Sequence, residues 1–290
     1  MTSPTDVATP YEFGEPLTAL SATRHGVHNE IVRVTLLGPG KGNAMGPAFW
    51  AETPKLFRAL GADESVRAIV VTGSGDHFTY GLDLTSFATV AGSTLQDDGG
   101  LARARTRFLH EIREMQTALD AVADCRKPVA AAVSGWCIGG GIDLLAACDV
   151  RYASAEAKFS IREVRMAIVA DMGSLARLPG ILSEGHLREL AYTGRDIDAA
   201  KAERIGLVNA VEETPEEALK TAHAFADEVA ANPPLVVQGV KEVLDVNRAE
   251  RVAAAQRYVT TWNAAFLPSH DLTEALTAFG QRRAAKFEGR

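Results

Sequence analysis

Three carboxylates, Asp143, Glu163 and Asp171, follow a run of glycines, Gly139-Gly140-Gly141, and are the residues of this sequence best suited to proton transfer. Asp143 and Asp171 stand among apolar neighbours, where burial disfavours the charged carboxylate and raises its pKa toward the range a general acid or base needs. Each acid also has a plain structural role open to it. Asp143 suits the positive end of a helix dipole, Asp171 could cap a following helix, and Glu163 could pair with Arg162 or Arg165 at the surface. The glycines close the stretch Ser134-Gly135-Trp136-Cys137-Ile138 and open a helix. Free amides at such a helix start can hold a developing negative charge, which is an oxyanion hole in outline, although the same residues suit a tight strand-to-helix turn.

Other glycine-loop chemistries fail on spacing. Neither Gly38-Pro39-Gly40-Lys41-Gly42 nor the triple glycine supplies GxGxxG, Lys41 is followed by Gly rather than Ser or Thr, and Gly73-Ser74-Gly75 is not a nucleophile elbow. The seven histidines include no HExxH and no Cys/His cluster at zinc spacing, so no metal is expected. Cys125, Cys137 and Cys148 are odd in number and lie in or beside apolar runs, which predicts reduced packing residues. A net charge of -7 argues against nucleic acid as a partner. No segment reaches the roughly 20 apolar residues of a membrane span. Residues 1–23 contain acids but no Lys or Arg, and Phe287-Glu288-Gly289-Arg290 is not a peroxisomal address, so a cytoplasmic location is expected.

The elements that must position these residues read as α/β. Glu30–Leu37, Ala68–Thr72, Val129–Val133 and Val150–Ala153 are predicted strands; 101–124 is the clearest helix, with Phe108, Ile112, Met115, Leu119 and Val122 recurring at three and four. Pro54 is expected to kink the helix of 47–60 or delay its start. Beyond Glu184 the pattern is helical, with segments at 185–192, 199–204 and 215–231. Alternating strands and helices favour a largely parallel sheet. The expected division is an N-terminal arm (1–28), a core (29–205) and a helical C-terminal region (206–290).

Three ordered segments, Asp76-His77-Phe78-Thr79-Tyr80-Gly81-Leu82-Asp83-Leu84, Ser134 to Asp149 and Phe159 to Pro179, together resemble the crotonase (enoyl-CoA hydratase/isomerase) superfamily. Gly42-Asn43-Ala44-Met45, Ala202 to Val211 and Ser269 to Phe287 extend the resemblance over nearly all of residues 30 to 288. It implies a spiral of ββα units with a helical C-terminal region that serves trimer assembly, a homotrimer or dimer of trimers, and an acyl-CoA substrate that brings its own coenzyme A, with no further cofactor. It places the oxyanion hole at the amides of Leu82 and Gly140, with Tyr80, Gly81, Gly139 and Gly141 as substrate-binding neighbours. The set Asp143, Glu163 and Asp171 is similar to that of isomerases converting 3,5-dienoyl-CoA to 2,4-dienoyl-CoA. Glu163 then serves the carbon beside the thioester, Asp171 the far end of the diene, and Asp143 is a supporting polar group. The alternatives are an enoyl-CoA hydratase using Asp143 and Glu163, and a non-catalytic acyl-CoA-binding protein. Tyr80 stands where the family often has a small residue, and Arg162 and Arg165 would depress the pKa of Glu163 if they faced it. Hydrophobic residues between 85 and 110 are expected to line the acyl pocket. Lys41, Arg282, Arg283 and Lys286 are candidates for the coenzyme A phosphates.

Overall fold

The computed structural model describes residues 8–40, 42–87 and 100–290. Its centre is a seven-stranded sheet, ordered β1 (Thr9–Pro10), β2 (Leu20–His25), β3 (Ile31–Leu36), β4 (Ala68–Gly73), β5 (Val129–Val133), β7 (Val150–Ser154) and β10 (Ala210–Glu212). From β3 to β10 every pairing is parallel, and β1 and β2 add an antiparallel edge. A second sheet joins β6 (Trp136–Ile138), β8 (Lys158–Ser160) and β9 (Ile197–Asp198). Parallel strands need crossovers; helices α1 (Pro47–Ala62) and α2 (Leu101–Ala123) lie in the connections that flank β4, and α3 (Gly140–Ala147) links β6 to β7.

Side-chain alternation along the central strands assigns the two faces. On β4, Ile69 and Val71 enter the main core with Phe49, Leu56 and Leu60 of α1 and Leu119 and Val122 of α2. Ala68 and Val70 point the other way, with Ala130 and Ala132 of β5, against Ala222 and Ala226 of α7 (Pro215–Ala230). Small side chains on both partners let α7 lie close to the sheet. All three cysteines are free and buried, as packing residues should be.

Three expectations about the elements need correcting. Residues 9–25, read as part of an arm, hold two strands, and β2 pairs with β3 across its whole length. The strand β10 continues the sheet past residue 205 by pairing with β7, so no physical boundary falls there. Pro54 sits inside α1, which begins at Pro47 regardless. The proline sacrifices a single main-chain hydrogen bond, and the apolar face of α1 is buried well enough to tolerate that.

After the 3-10 turn Glu163–Met166 come α4 (Ser174–Arg177), α5 (Glu184–Thr193), α6 (Ala199–Arg204), α7, α8 (Pro234–Phe266) and α9 (His270–Gly280). Helix α8, 33 residues long, reverses the usual amphipathic order. Gln256, Thr260 and Asn263 are its buried face there, at 9%, 0% and 1% exposure, whereas Tyr258, Trp262 and Phe266 are 70%, 44% and 60% exposed. Among the described residues no helix is long and apolar enough to cross a membrane.

Candidate active site

Two loops and a strand meet at the amide pair. Asn43, in a left-handed conformation (φ 48°), buries its side chain and donates from Nδ2 to the carbonyls of Ser74, His77 and Phe78. Thr79 returns the contact, its hydroxyl donating to Asn43 O and accepting from the amide of Gly81. Met45 bridges to Leu82, and Thr79 to Cys137 on β6, so residues 79–82 are clamped from both sides.

The clamp brings Leu82 beside Gly140. A Cβ on Gly140 would stand 3.5 Å from Leu82 N, and one on Gly81 only 2.7 Å from Gly140 N. Neighbouring main-chain groups are engaged: Met45 N donates to Gly81 O, Asp83 N to Met45 O, and Gly139 N to Ser160 O. The amides of Leu82 and Gly140 are left without a backbone acceptor among the described residues. Gly140 opens α3, so its amide is also one that the helix itself cannot satisfy. Two free amides side by side, one at a helix start, are suited to an oxygen that gains negative charge.

The three acids converge on this place. Asp143, on the first turn of α3, is fully buried and accepts the amide of Ser174 at 2.5 Å, capping α4 across the chain. Capping, considered for Asp171, is thus performed by Asp143. Glu163 Oε1 would lie 3.7 Å from a Cβ on Gly139, which sets it next to the amide pair. Glu163 is half-buried as a residue, but its Oε2 is shut off from solvent. Beyond the left-handed turn at Ala167 (φ 57°), Asp171 is buried near enough to Asp143 and Glu163 for charge to act between them. Asp171 Oδ2 accepts from Asn263 Nδ2 of α8 at 2.6 Å.

Electrostatics follow from burying three carboxyls together. Burial raises all three pKa values; the charge of Asp143 raises Glu163 and Asp171 further, and that of Asp171 adds to the rise of Glu163. Asp143 Oδ2 and Glu163 Oε2 receive no donor from any other residue, and the two carboxyls lie against each other, so one shared proton satisfies both. The amide of Ser174 and the buried cation Arg177 partly restore the charged form of Asp143, whereas Glu163 is pushed well above its ordinary value. Asp171 is pushed up to about 7, chiefly by burial, with Asn263 opposing the rise. Arg162 and Arg165 do not face Glu163: both turn to Asp196, Arg162 at 2.8 Å, and the guanidinium of Arg162 stacks on Trp136.

A raised carboxyl pKa destabilises the fold at neutral pH. Unfolded Asp171 would release its proton near pH 4, but the folded protein holds it until about pH 7, so stability is lost as pH climbs between those values. Asp171→Asn is therefore expected to melt at a higher temperature than the unmodified protein at pH 8, by up to about 4 kcal/mol of stability, with the gap closing by pH 4. Thermal melts across that range check the expectation, and an equal gap at both ends would contradict it.

The other expected site residues divide. Gly81 borders the amide pair, and Gly139 borders Glu163. The Cβ position of Gly141 is filled by Thr79 and Cys137, which makes it a packing glycine rather than a substrate contact. Tyr80 lays its ring over Gly42 and beside His77 (5.0 Å between centroids), at the rim. Phe87, Phe108, Ile112 and Leu272 pack around Leu82 and Met172, an apolar wall beside the amides and Asp171; residues 88–99 of the expected pocket lie outside the described residues. So does Lys41. Arg283 is bound by both oxygens of Glu274, whose carboxyl it holds down to about 2. Arg282 and Lys286 are exposed. Among the described residues no group of three or more His, Cys, Asp or Glu could hold a metal ion.

With this geometry established, comparison with known proteins is informative. The Enoyl-CoA hydratase/isomerase family model matches residues 26–290. The chain belongs to this family. A crystal structure of an enoyl-CoA hydratase/isomerase from Pseudoalteromonas atlantica superimposes with a TM-score of 0.79 at 26% identity, covering 93% of this chain and all of that one, so the fold is the crotonase fold. The peroxisomal Delta(3,5)-Delta(2,4)-dienoyl-CoA isomerase of Arabidopsis thaliana is 38% identical over 94% of this chain and 98% of that protein. The mitochondrial human enzyme of the same name is 37% identical over 94% and 81%. The (E)-benzylidenesuccinyl-CoA hydratase of Thauera aromatica is 29% identical over 91% and 97%.

Within this crotonase site, sequence reasoning missed Asn263, Gln116 and Thr260, which hold Asp171 from outside the motif segments. Their signal was absent locally: polar residues on a helix ordinarily mark its solvent face. The Ser174 amide was equally invisible, because a main-chain donor carries no residue type.

Proposed function

We propose that the protein isomerises 3,5-dienoyl-CoA to 2,4-dienoyl-CoA. The observation that carries the proposal is the placement of two buried carboxyls, Glu163 beside the amide pair and Asp171 within reach of its charge, held by α8. The thioester oxygen accepts from Leu82 and Gly140. Glu163 as carboxylate takes a proton from the carbon next to the thioester, and the resulting extended enolate spreads its charge onto the oxygen held by those amides. Protonated Asp171 then delivers a proton four carbons away, and both double bonds move one position toward the thioester. Glu163 becomes the base when the proton it shares with Asp143 passes to Asp143, against the preference that Ser174 and Arg177 give Asp143 for its charged form. No atom of the substrate is gained or lost; after each turnover Glu163 releases one proton to water and Asp171 regains one, and only in the reverse reaction do the donor and acceptor roles exchange. The dienoyl-CoA isomerase relatives support this reading.

The adjacency of Asp143 and Glu163 also supports a second reading, addition of water to a 2-enoyl-CoA, in which Asp171 has no part. An absorbance assay with 3,5-octadienoyl-CoA and, separately, 2-octenoyl-CoA separates them. Growth of the conjugated 2,4-dienoyl signal, abolished in Asp171→Asn and Glu163→Gln, upholds the isomerase. Loss of the enoyl signal that survives Asp171→Asn makes it a hydratase, and stoichiometric binding without turnover of either makes it an acyl-CoA-binding protein. Because Asp171 must start protonated, kcat/KM in the forward direction is expected to fall above a midpoint near pH 7. A flat profile from pH 6 to 9 would remove Asp171 from the role of acid.

The assembly proposed is a homotrimer or a dimer of trimers. The exposed stripe Tyr258, Trp262 and Phe266 supports it, since aromatic rings at consecutive turns are ordinarily covered in the functional protein. Sedimentation of the purified chain tests this, and a monomer would refute it.

A further inference from the structure

The partners of Asp171 belong to a polar ladder that runs between α2 and α8. Asn263 Nδ2 donates to Asp171 Oδ2 (2.6 Å) and to Val169 O (2.8 Å), fixing the carboxyl and the main chain two residues before it. Gln116 Nε2, from α2, donates to Asp171 O (2.6 Å) and Thr260 Oγ1 (2.9 Å). One turn along both helices, Gln256 Nε2 donates to Asp120 (2.8 Å), which also accepts from Arg177. Spacings of four and three on α8, and of four on α2, put each set on a single face. Buried polar groups cost free energy unless satisfied, and apolar side chains at such positions would join two helices at least as firmly. The ladder has a different use, and the acid at its end identifies it.

We infer that Asn263 is a positioning residue for Asp171: it holds one carboxyl oxygen so that the other faces the reacting carbon, while Gln116 and Thr260 brace the main chain beneath. An amide that donates to a carboxylate favours its charged form. The acids facing Asp171 are Asp143 on α3 and, on the 3-10 turn, Glu163, which shares a proton with Asp143; the charge of Asp143 favours the neutral form of Asp171. The faces of α2 and α8 that meet it present the neutral Gln116, Thr260 and Asn263, with the Asp120–Arg177 pair one turn beyond. Asn263 therefore opposes burial and the charge of Asp143, and keeps the proton of Asp171 transferable.

The kinetic arm of the test rests on the isomerase reading; the titration arm does not. The Asp171 carboxyl is followed by carbon-13 NMR against pH in the full chain, assigned by its loss in Asp171→Asn, and kcat and KM for 3,5-octadienoyl-CoA are measured alongside. Asn263→Leu keeps the branching and removes the donor. Its Asp171 midpoint is expected to rise by about one unit, and kcat at pH 7 to fall roughly tenfold or more with KM nearly unchanged. The alkaline limb of kcat/KM should move up with the midpoint, and Asn263→Ser, which retains a donor, should recover part of both effects. If Asn263→Leu does not fold, Asn263→Ala is read by the same two arms. An unmoved Asp171 midpoint in a folded variant overturns the inference, as does a kcat loss without displacement of the pH profile. A midpoint that moves in a protein lacking isomerase activity upholds the positioning role and overturns the functional reading instead.

Discussion

Glu163→Gln is expected to lower kcat for dienoyl-CoA isomerisation by about 10²- to 10⁴-fold, with KM changed little. The substitution preserves shape but removes the one buried carboxyl that stands beside the amide pair. Glutamine cannot accept a proton from carbon, and the thioester would still be held by Leu82 and Gly140, which is why binding should survive the loss of chemistry. Glu163 carries a strongly raised pKa through burial and the nearness of Asp143 and Asp171, so Glu163→Gln is expected to be no less stable than the unmodified protein at neutral pH, which thermal melts check. With an unchanged melt, a fall in rate belongs to the chemistry. Exchange of the proton beside the thioester with deuterated solvent is the direct check, and it should vanish in Glu163→Gln while persisting in Asp171→Asn. Exchange at the original rate in Glu163→Gln would mean that another group removes that proton.

The second large effect is expected at Gly81→Ala. An added Cβ would meet Ile138 O at 2.5 Å and Gly140 N at 2.7 Å, both main-chain atoms that cannot turn aside, and the φ of +77° is strained for any residue with a side chain. The strand β6 and the clamped loop must then move apart, and the separation falls on the two amides that receive the thioester oxygen. Loss of one such donor ordinarily costs about 10²- to 10³-fold in kcat. Since Asn43 and Thr79 still pin the rest of the loop, the protein should fold with reduced stability. A kcat within threefold of the unmodified protein, with circular dichroism unchanged, would show that the oxygen is held elsewhere. Gly141→Ala provides the contrast: its Cβ meets Thr79 and Cys137 rather than Leu82 or Gly140, so its cost should appear mainly in the melting temperature.

The strands and the long helix were legible because their signals are local. Val129–Val133 has the length and apolarity of a central strand, and 101–123 repeats its apolar residues at helical spacing, so each could be drawn from its own residues. Asp143, Glu163, Asp171, Leu82 and Gly140 could be singled out because motif spacing keeps them recognisable. Strand β2 was not, since Leu20–His25 alternates only weakly and becomes a strand by pairing with β3. The faces of helix α8 were not legible either: its aromatic residues at 258, 262 and 266 are open and its polar residues at 256, 260 and 263 are buried.

By itself the sequence determined which groups exist to do chemistry and the order in which the chain presents them: a glycine turn at a helix start, followed by three acids in mainly apolar surroundings. Covalent connectivity and local pattern suffice for that. Only the tertiary structure decided what those groups are when folded. It turned Arg162 and Arg165 toward Asp196 and away from Glu163, gave the capping role to Asp143, and set Asn263 against Asp171 from 92 positions along the chain. Proton affinity depends on burial and on the charges and donors within a few ångströms, whatever their separation in sequence, and so it is fixed only once distant segments have packed.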